Sequence, residues 1–407
     1  MENREKNVDQ FPSVFIRKTL FNNPTTDFIV QILEAIVIRI AFVAFDIAPW
    51  LQSRMELAAP PTSLDHYADI AFLQSTRADI PSATLATTSP LMVAFTRATG
   101  AHLLPATSLA TAADLLSTIF LYRIALGAGF PIHQARIYAI VYIWNPLSMA
   151  VAVAGSAADA IRTAMVLAAI YLSIRMSTHS TSTSSNNDDD ANSRKTMRGG
   201  GEKHSTVCIL LLGIALACSL HFSRSTHIIL IALPLLANAV TSTTTTTTTL
   251  AGWLALFLFS FLGTTLLLLT TRMQSMTILF SGQSLLQLPL QQFFGLHPVG
   301  TLSPSSRLPP LIPNIGVQWY LFAQVFPIFR RFFSYVFAAL QIALCTSVYL
   351  RFHQDIASPH AGSGSLPLLG VVVAQEVVVG MLSAHPTYAD IMLWLVRCCC
   401  CLRFTTF

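Results

Sequence analysis

Apolar runs fall near residues 28–48, 90–104, 107–126, 136–154, 158–174, 207–221, 226–240, 250–271, 317–350, 366–382 and 387–402. A segment in lipid must satisfy its own backbone N–H and C=O groups, so runs of this composition are expected to be helices. About 20 residues at about 1.5 Å each are needed to cross a bilayer, and several runs fall short of that length. The run 317–350 is long enough for two helices broken near Pro327 and Arg330. The pattern predicts an all-α polytopic membrane protein with about ten spans, eight at the least and twelve at the most.

The polar positions between the runs divide the chain. A charged tail covers residues 1–27, and membrane helices with a polar loop at 49–89 cover 28–176. The stretch 177–206 holds Ala191 and Met197 as its only apolar residues, so it is read as a disordered linker that cannot bury enough surface to fold. A second set of membrane helices occupies 207–407. The linker's Asp188–Asp190 run has no glutamate at calcium-loop spacing and is read as solvated.

Composition narrows the function classes. Only 11% of the 407 residues are charged and 53% are hydrophobic, against about 25% charged in soluble domains. Mean hydropathy is +0.59. A soluble enzyme, a disordered protein and a nucleic-acid binder each need a charged, solvated surface, and all three are excluded. The net charge of +5 therefore concerns loops and lipid headgroups. The seven cysteines form neither a disulfide framework nor a spaced metal site, and Cys398–Cys401 are read as small apolar filler.

Arg4, Lys6, Arg17 and Lys18 precede the first run, while Glu56, Asp65, Asp69 and Asp79 dominate the loop after it, so the N-terminus is expected in the cytosol and the loop in the lumen. Arg175, Arg194, Lys195, Arg198 and Lys203 place the linker in the cytosol too. Five runs precede the linker, and an odd number of crossings breaks this assignment. The weakest run, 90–104, is expected to lie in the interface or to re-enter without crossing.

The ionisable residues inside apolar runs are Glu34, Arg39, Asp46, Asp114, Asp159, Arg162, Glu376, Asp390 and Arg397. Glu34 and Arg39 stand about 140° apart on a helix, too far to pair, so each is expected to meet another helix or the interface. Contacts between helices are favoured over transport or catalysis for such residues. No P-loop, HExxH, GxSxG or cysteine-protease signature occurs, and no catalytic residue, metal ligand or cofactor site is expected.

Motifs at the edges of the apolar runs carry more. The segment Leu311-Ile312-Pro313-Asn314-Ile315-Gly316-Val317-Gln318-Trp319-Tyr320-Leu321-Phe322-Ala323-Gln324-Val325-Phe326 resembles one found in the class U subunit of the glycosylphosphatidylinositol (GPI) transamidase complex. In the same order as in that family come Leu51–Ser63 with Arg54, Glu56 and Pro60, then Trp144-Asn145-Pro146, and finally His385-Pro386-Thr387-Tyr388-Ala389-Asp390. Taken physically, Pro313 fixes φ, Asn314 suits a helix cap, Gly316 permits close backbone approach, and Trp319 and Tyr320 suit the headgroup level. Asn145-Pro146 reads as a kink, and Pro386-Thr387 as a helix start.

The resemblance implies a non-catalytic subunit of the endoplasmic reticulum membrane. It would help to position the GPI glycolipid and partner subunits, including a caspase-like catalytic chain, for attachment of GPI anchors to proteins. Pro313, Asn314, Gly316, Trp319, Tyr320, Asn145, Pro146, Arg54, Glu56, Pro386, Thr387 and Asp390 are the expected lipid- or partner-binding residues. The fold would resemble the membrane domain of GT-C type glycosyltransferases. Class U members continue through further spans after the last motif, which implies a chain shortened at its C-terminus. A polyprenyl-phosphate-dependent mannosyltransferase of the same pathway is the competing reading, for which the loop offers only Asp65 and Asp69. A transporter is less favoured, because paired broken helices in matching halves are not seen.

Overall fold

The computed structural model describes residues 24–54, 57, 63–76, 89–100, 102–182, 206–219, 234–235, 254–264, 317–357 and 365–382. Every regular element among them is a helix. In chain order these are α1 (Pro24–Ala44), α2 (Ile47–Gln52), α3 (Leu64–Ser75), α4 (Pro90–Thr99), α5 (Leu103–Gly127), α6 (Ile132–Ile143), α7 (Pro146–Val153) and α8 (Ala157–Ser182). After them come α9 (Thr206–Ser219), α10 (Leu254–Thr264), α11 (Val317–Gln324), α12 (Pro327–Ala357) and α13 (Ser365–Met381).

Three helical stretches among the described residues are long and apolar enough to cross a membrane: Leu103–Gly127, Ala157–Met176 and Tyr335–Phe352. The bent pair α6 and α7, which meet at 48°, makes a fourth if it is one span. The expected ten are therefore not reached among the described residues. The run 207–221 is described as helix only over Thr206–Ser219, and 250–271 only over Leu254–Thr264. The run 387–402 lies outside the described residues, as does 226–240 apart from residues 234–235. Elsewhere an expected boundary moves: α8 continues to Ser182, so residues 177–182, read as linker, extend a helix already nucleated by its apolar part.

Helix α4 is too short to cross a bilayer by itself. It has ten residues, about 15 Å of rise, which is half a bilayer. Pro90 opens it and Gly100, at φ 64°, closes it. It packs with α3: Tyr67, Ile70 and Ala71 join Met92 and Val93 in a cluster with Ala110 and Ala113 of α5 and Ala157, Ala158 and Ala164 of α8.

The α5–α8 pair forms the centre of the molecule. Alanines at helical spacing bring the two backbones close at one end, since small residues let helices approach. Towards the other end, a Cβ on Gly127 would stand 2.8 Å from Ile174 Cγ2, so only glycine fits there. The two helices therefore run parallel, joined by the return of α6 and α7. Helix α1 runs antiparallel to α5, as Phe28 meets Tyr122 (ring centroids 5.7 Å apart) and Arg39 meets Asp114. The start of α1 and the ends of α5 and α8 thus share one end of the bundle. Arg123, Arg136 and Arg175 gather there, whereas Asp46, Asp65 and Asp69 belong to the segments at the opposite end.

The run 317–350 is two helices, as expected. Helix α11 ends at Gln324 and α12 begins at Pro327, whose ring prevents the helix from continuing unbroken. Side-chain amides join this part: Gln341 Nε2 donates to the Val379 carbonyl at 3.4 Å and Gln375 Nε2 to the Cys345 carbonyl at 3.1 Å.

Candidate functional site

Proline at position 146 has no N–H, so the backbone ladder of α6 cannot run on into α7. Asn145 manages the break. Its side-chain oxygen accepts from the Leu147 N–H at 2.9 Å, capping α7, while its own N–H donates to the Tyr142 carbonyl at 3.2 Å. The break turns the Ile143 carbonyl towards α1, where Arg39 Nη2 donates to it at 3.0 Å.

Arg39 is 1% exposed and fills a socket built by this break. Its Nη1 donates to the Ala35 carbonyl at 3.1 Å, and its Nη2 donates to Ser148 Oγ at 3.3 Å and to the Asp114 carboxylate. Ser148 in turn donates to Asp114 Oδ2 at 2.9 Å, and the Tyr142 phenol is a further hydrogen-bond partner of that carboxylate. Asp114 sits at the middle of the 25-residue α5. A charge at that depth is tolerated only when paired and hydrogen-bonded, and here both conditions are met. The arrangement can clamp four helices, α1, α5, α6 and α7, together. Glu34, by contrast, is exposed on α1 and takes no part.

A second junction lies at the other end of α7. Gly155 adopts φ 71°, and a Cβ there would lie 3.4 Å from Leu103 Cδ1, 3.6 Å from Ala106 Cβ and 3.6 Å from Gln52 Nε2. Ser156 then donates to Asp159 Oδ2 at 2.8 Å, and Arg162 stands 3.7 Å from the same carboxylate. Helix α2 packs here through Ala48 and Leu51 against Val151, Val153 and Ala154.

The expected binding residues divide among these places. Asn145 and Pro146 are at the break. Arg54 follows α2 at the opposite end of α7 and lies exposed over the Trp50 ring, 4.6 Å from its centroid, so it is not brought to them. Trp319 and Tyr320 are in α11, with Tyr320 61% exposed. Pro313, Asn314, Gly316, Glu56, Pro386, Thr387 and Asp390 lie outside the described residues. One contact ties α11 to the end of α13: Gln318 Nε2 donates to the Leu382 carbonyl at 2.6 Å, across 64 residues of sequence. That carbonyl stands three residues before His385. Ser148 and Tyr142 were not singled out from the sequence. The available signal was spacing, since Ser148 falls three residues after Asn145 and so follows the break by one helical turn.

A family model described as GPI transamidase subunit PIG-U matches residues 33–399. The chain belongs to this family. The matched region takes in Arg39, Asp114, the Asn145-Pro146 break and both segments joined by Gln318. PIG-U proteins are subunits of GPI transamidase, an enzyme complex, so the chain has its place beside other subunits. The family and the apolar helices together make it a membrane protein. No curated protein shows a match to it.

Proposed function

We propose that the chain is a non-catalytic subunit of GPI transamidase in the endoplasmic reticulum membrane, with several spans on a fold like the membrane domain of GT-C type glycosyltransferases. It helps to position the GPI glycolipid and its partner subunits, a caspase-like catalytic chain among them. The observation that carries this reading is the surface that follows α11. The membrane-length window of α12 is only 11% buried, against 78% for that of α8, and Tyr320, Phe326, Phe329 and Phe332 stand exposed at its approach. An aromatic helix left this open inside one chain suits contact with lipid and with a neighbouring helix. Trp319 and Tyr320, together with Pro313, Asn314 and Gly316 before them and Pro386, Thr387 and Asp390 after Leu382, form the proposed contact region. Asn145, Pro146, Arg54 and Glu56 support it from the first set of helices. Purification in a mild detergent is expected to recover the chain with a caspase-like subunit. Recovery as a lone chain that transfers sugar would overturn the proposal.

The mannosyltransferase alternative requires acids on the donor side, and the first loop supplies Asp65 and Asp69. They lie four apart on α3, both exposed. Replacing both by Asn is expected to leave GPI attachment at its normal level, measured as surface display of an anchored reporter. Complete loss of display at unchanged protein abundance would favour the transferase.

A further inference from the structure

The basic end of the bundle carries a cavity that neither the buried ion pair nor the contact of α11 with α13 uses. It opens between α5 and α8, holds about 490 Å³, and is lined by Ile119, Phe120, Arg123, Tyr171 and Arg175. Phe120 and Tyr171 form an aromatic wall with ring centroids 6.0 Å apart. Ile119 is 47% exposed on the outer surface of α5. Arg123 comes one turn before the end of its membrane-length stretch at Gly127, and Arg175 immediately precedes the end of the other at Met176. Both guanidinium groups are therefore at headgroup depth, with the apolar wall on the side of the hydrocarbon.

We propose that this cavity binds an anionic membrane phospholipid. Arg123 and Arg175 hold its phosphate, and the first methylenes of an acyl chain lie along Phe120, Tyr171 and Ile119. A planar guanidinium offers paired N–H donors matched to phosphate oxygens, and two of them converge on one opening. A free phosphate would use the arginines and leave the aromatic wall idle. A zwitterionic lipid would use the wall but bring no net charge to the two cations. The volume suits a headgroup and the start of a chain, with the remaining acyl length left in the bilayer. The positive-inside rule assigns this end to the cytosolic side, so the lipid belongs to the leaflet opposite the first loop.

The test uses membranes containing the full chain and a photoactivatable phosphatidylserine, with a phosphatidylcholine analogue as comparison. Labelling by the anionic probe is expected on peptides covering residues 119–123 and 171–175. Arg123→Gln and Arg175→Gln are expected to weaken it about fivefold each and about thirtyfold together, from the typical contribution of one arginine near an anionic lipid surface. Ile119→Trp, which keeps both charges and crowds the outer wall, is expected to lower labelling as well and serves if the Gln variants do not accumulate. Equal labelling by the two lipids, or labelling unchanged in the Gln variants or in Ile119→Trp, overturns the proposal. Displacement of the probe by inorganic phosphate alone would assign the site to a soluble anion and overturns it too.

Discussion

Replacing Asp114 by Leu is expected to remove most of the folded protein, because it leaves the Arg39 guanidinium buried without its counter-ion at the middle of the helix bundle. The cost expected is about 3 kcal/mol, more than a hundredfold in the ratio of folded to unfolded protein. Arg39→Leu exposes the mirror problem, a carboxylate held only by Ser148 and Tyr142. The double variant, Arg39→Leu with Asp114→Leu, is expected to recover most of the loss, since two apolar side chains leave no unpaired charge. Abundance and thermal stability in mild detergent measure both steps. A double variant as unstable as either single one would show that the pair's further hydrogen bonds, and not its charge balance, hold the socket. A double variant that folds but no longer supports GPI attachment would give the pair a part in function beyond holding α1 to α5.

The next largest effect is expected at Gly155. A β-branched residue is badly suited to φ 71°, and Gly155→Val is expected to cost about 1–3 kcal/mol through the backbone. The neighbouring atoms stand at 3.4 Å or more from the added Cβ, so crowding contributes little by comparison. Gly155→Asn is the discriminating control, because Asn enters the left-handed region more readily than other side chains. Melting temperatures in detergent are expected to fall in the order glycine, asparagine, valine. Equal losses for Asn and Val would mean that space at the turn governs the site.

How far the sequence could be read depended on whether a feature was local. The shortness of α4 followed from a fifteen-residue run that holds Thr96, Arg97, Thr99, Gly100 and His102, and the break before Pro327 followed from the proline itself. That Arg39 would look to another helix also followed, from its angle to Glu34. Its partner did not, because Asp114 lies 75 residues away and nothing in either run marks which faces will meet. Ser148 and Tyr142 were hidden for the same reason: a hydroxyl in an apolar helix satisfies itself locally unless a neighbouring helix presents a charge. The number of spans was legible only in part, since four at most are seen among the described residues. Apolar composition shows where lipid or core is tolerated, but the continuation of α8 into Ser and Thr depends on hydrogen bonding at the helix end.

The separation of Arg39 from Asp114 also sets an order of events in biosynthesis. At about 5–20 residues per second, the 75 residues between them occupy about 4–15 s. During that interval α1 carries a guanidinium whose counter-ion has not been made, at a cost of about 2.5–3.5 kcal/mol if it sits at mid-bilayer. Helix α1, made well before its partner, thus settles only after α5 has appeared. It waits near the interface, or in the company of another protein, until α5 arrives with the carboxylate and the break after Ile143 supplies the final carbonyl.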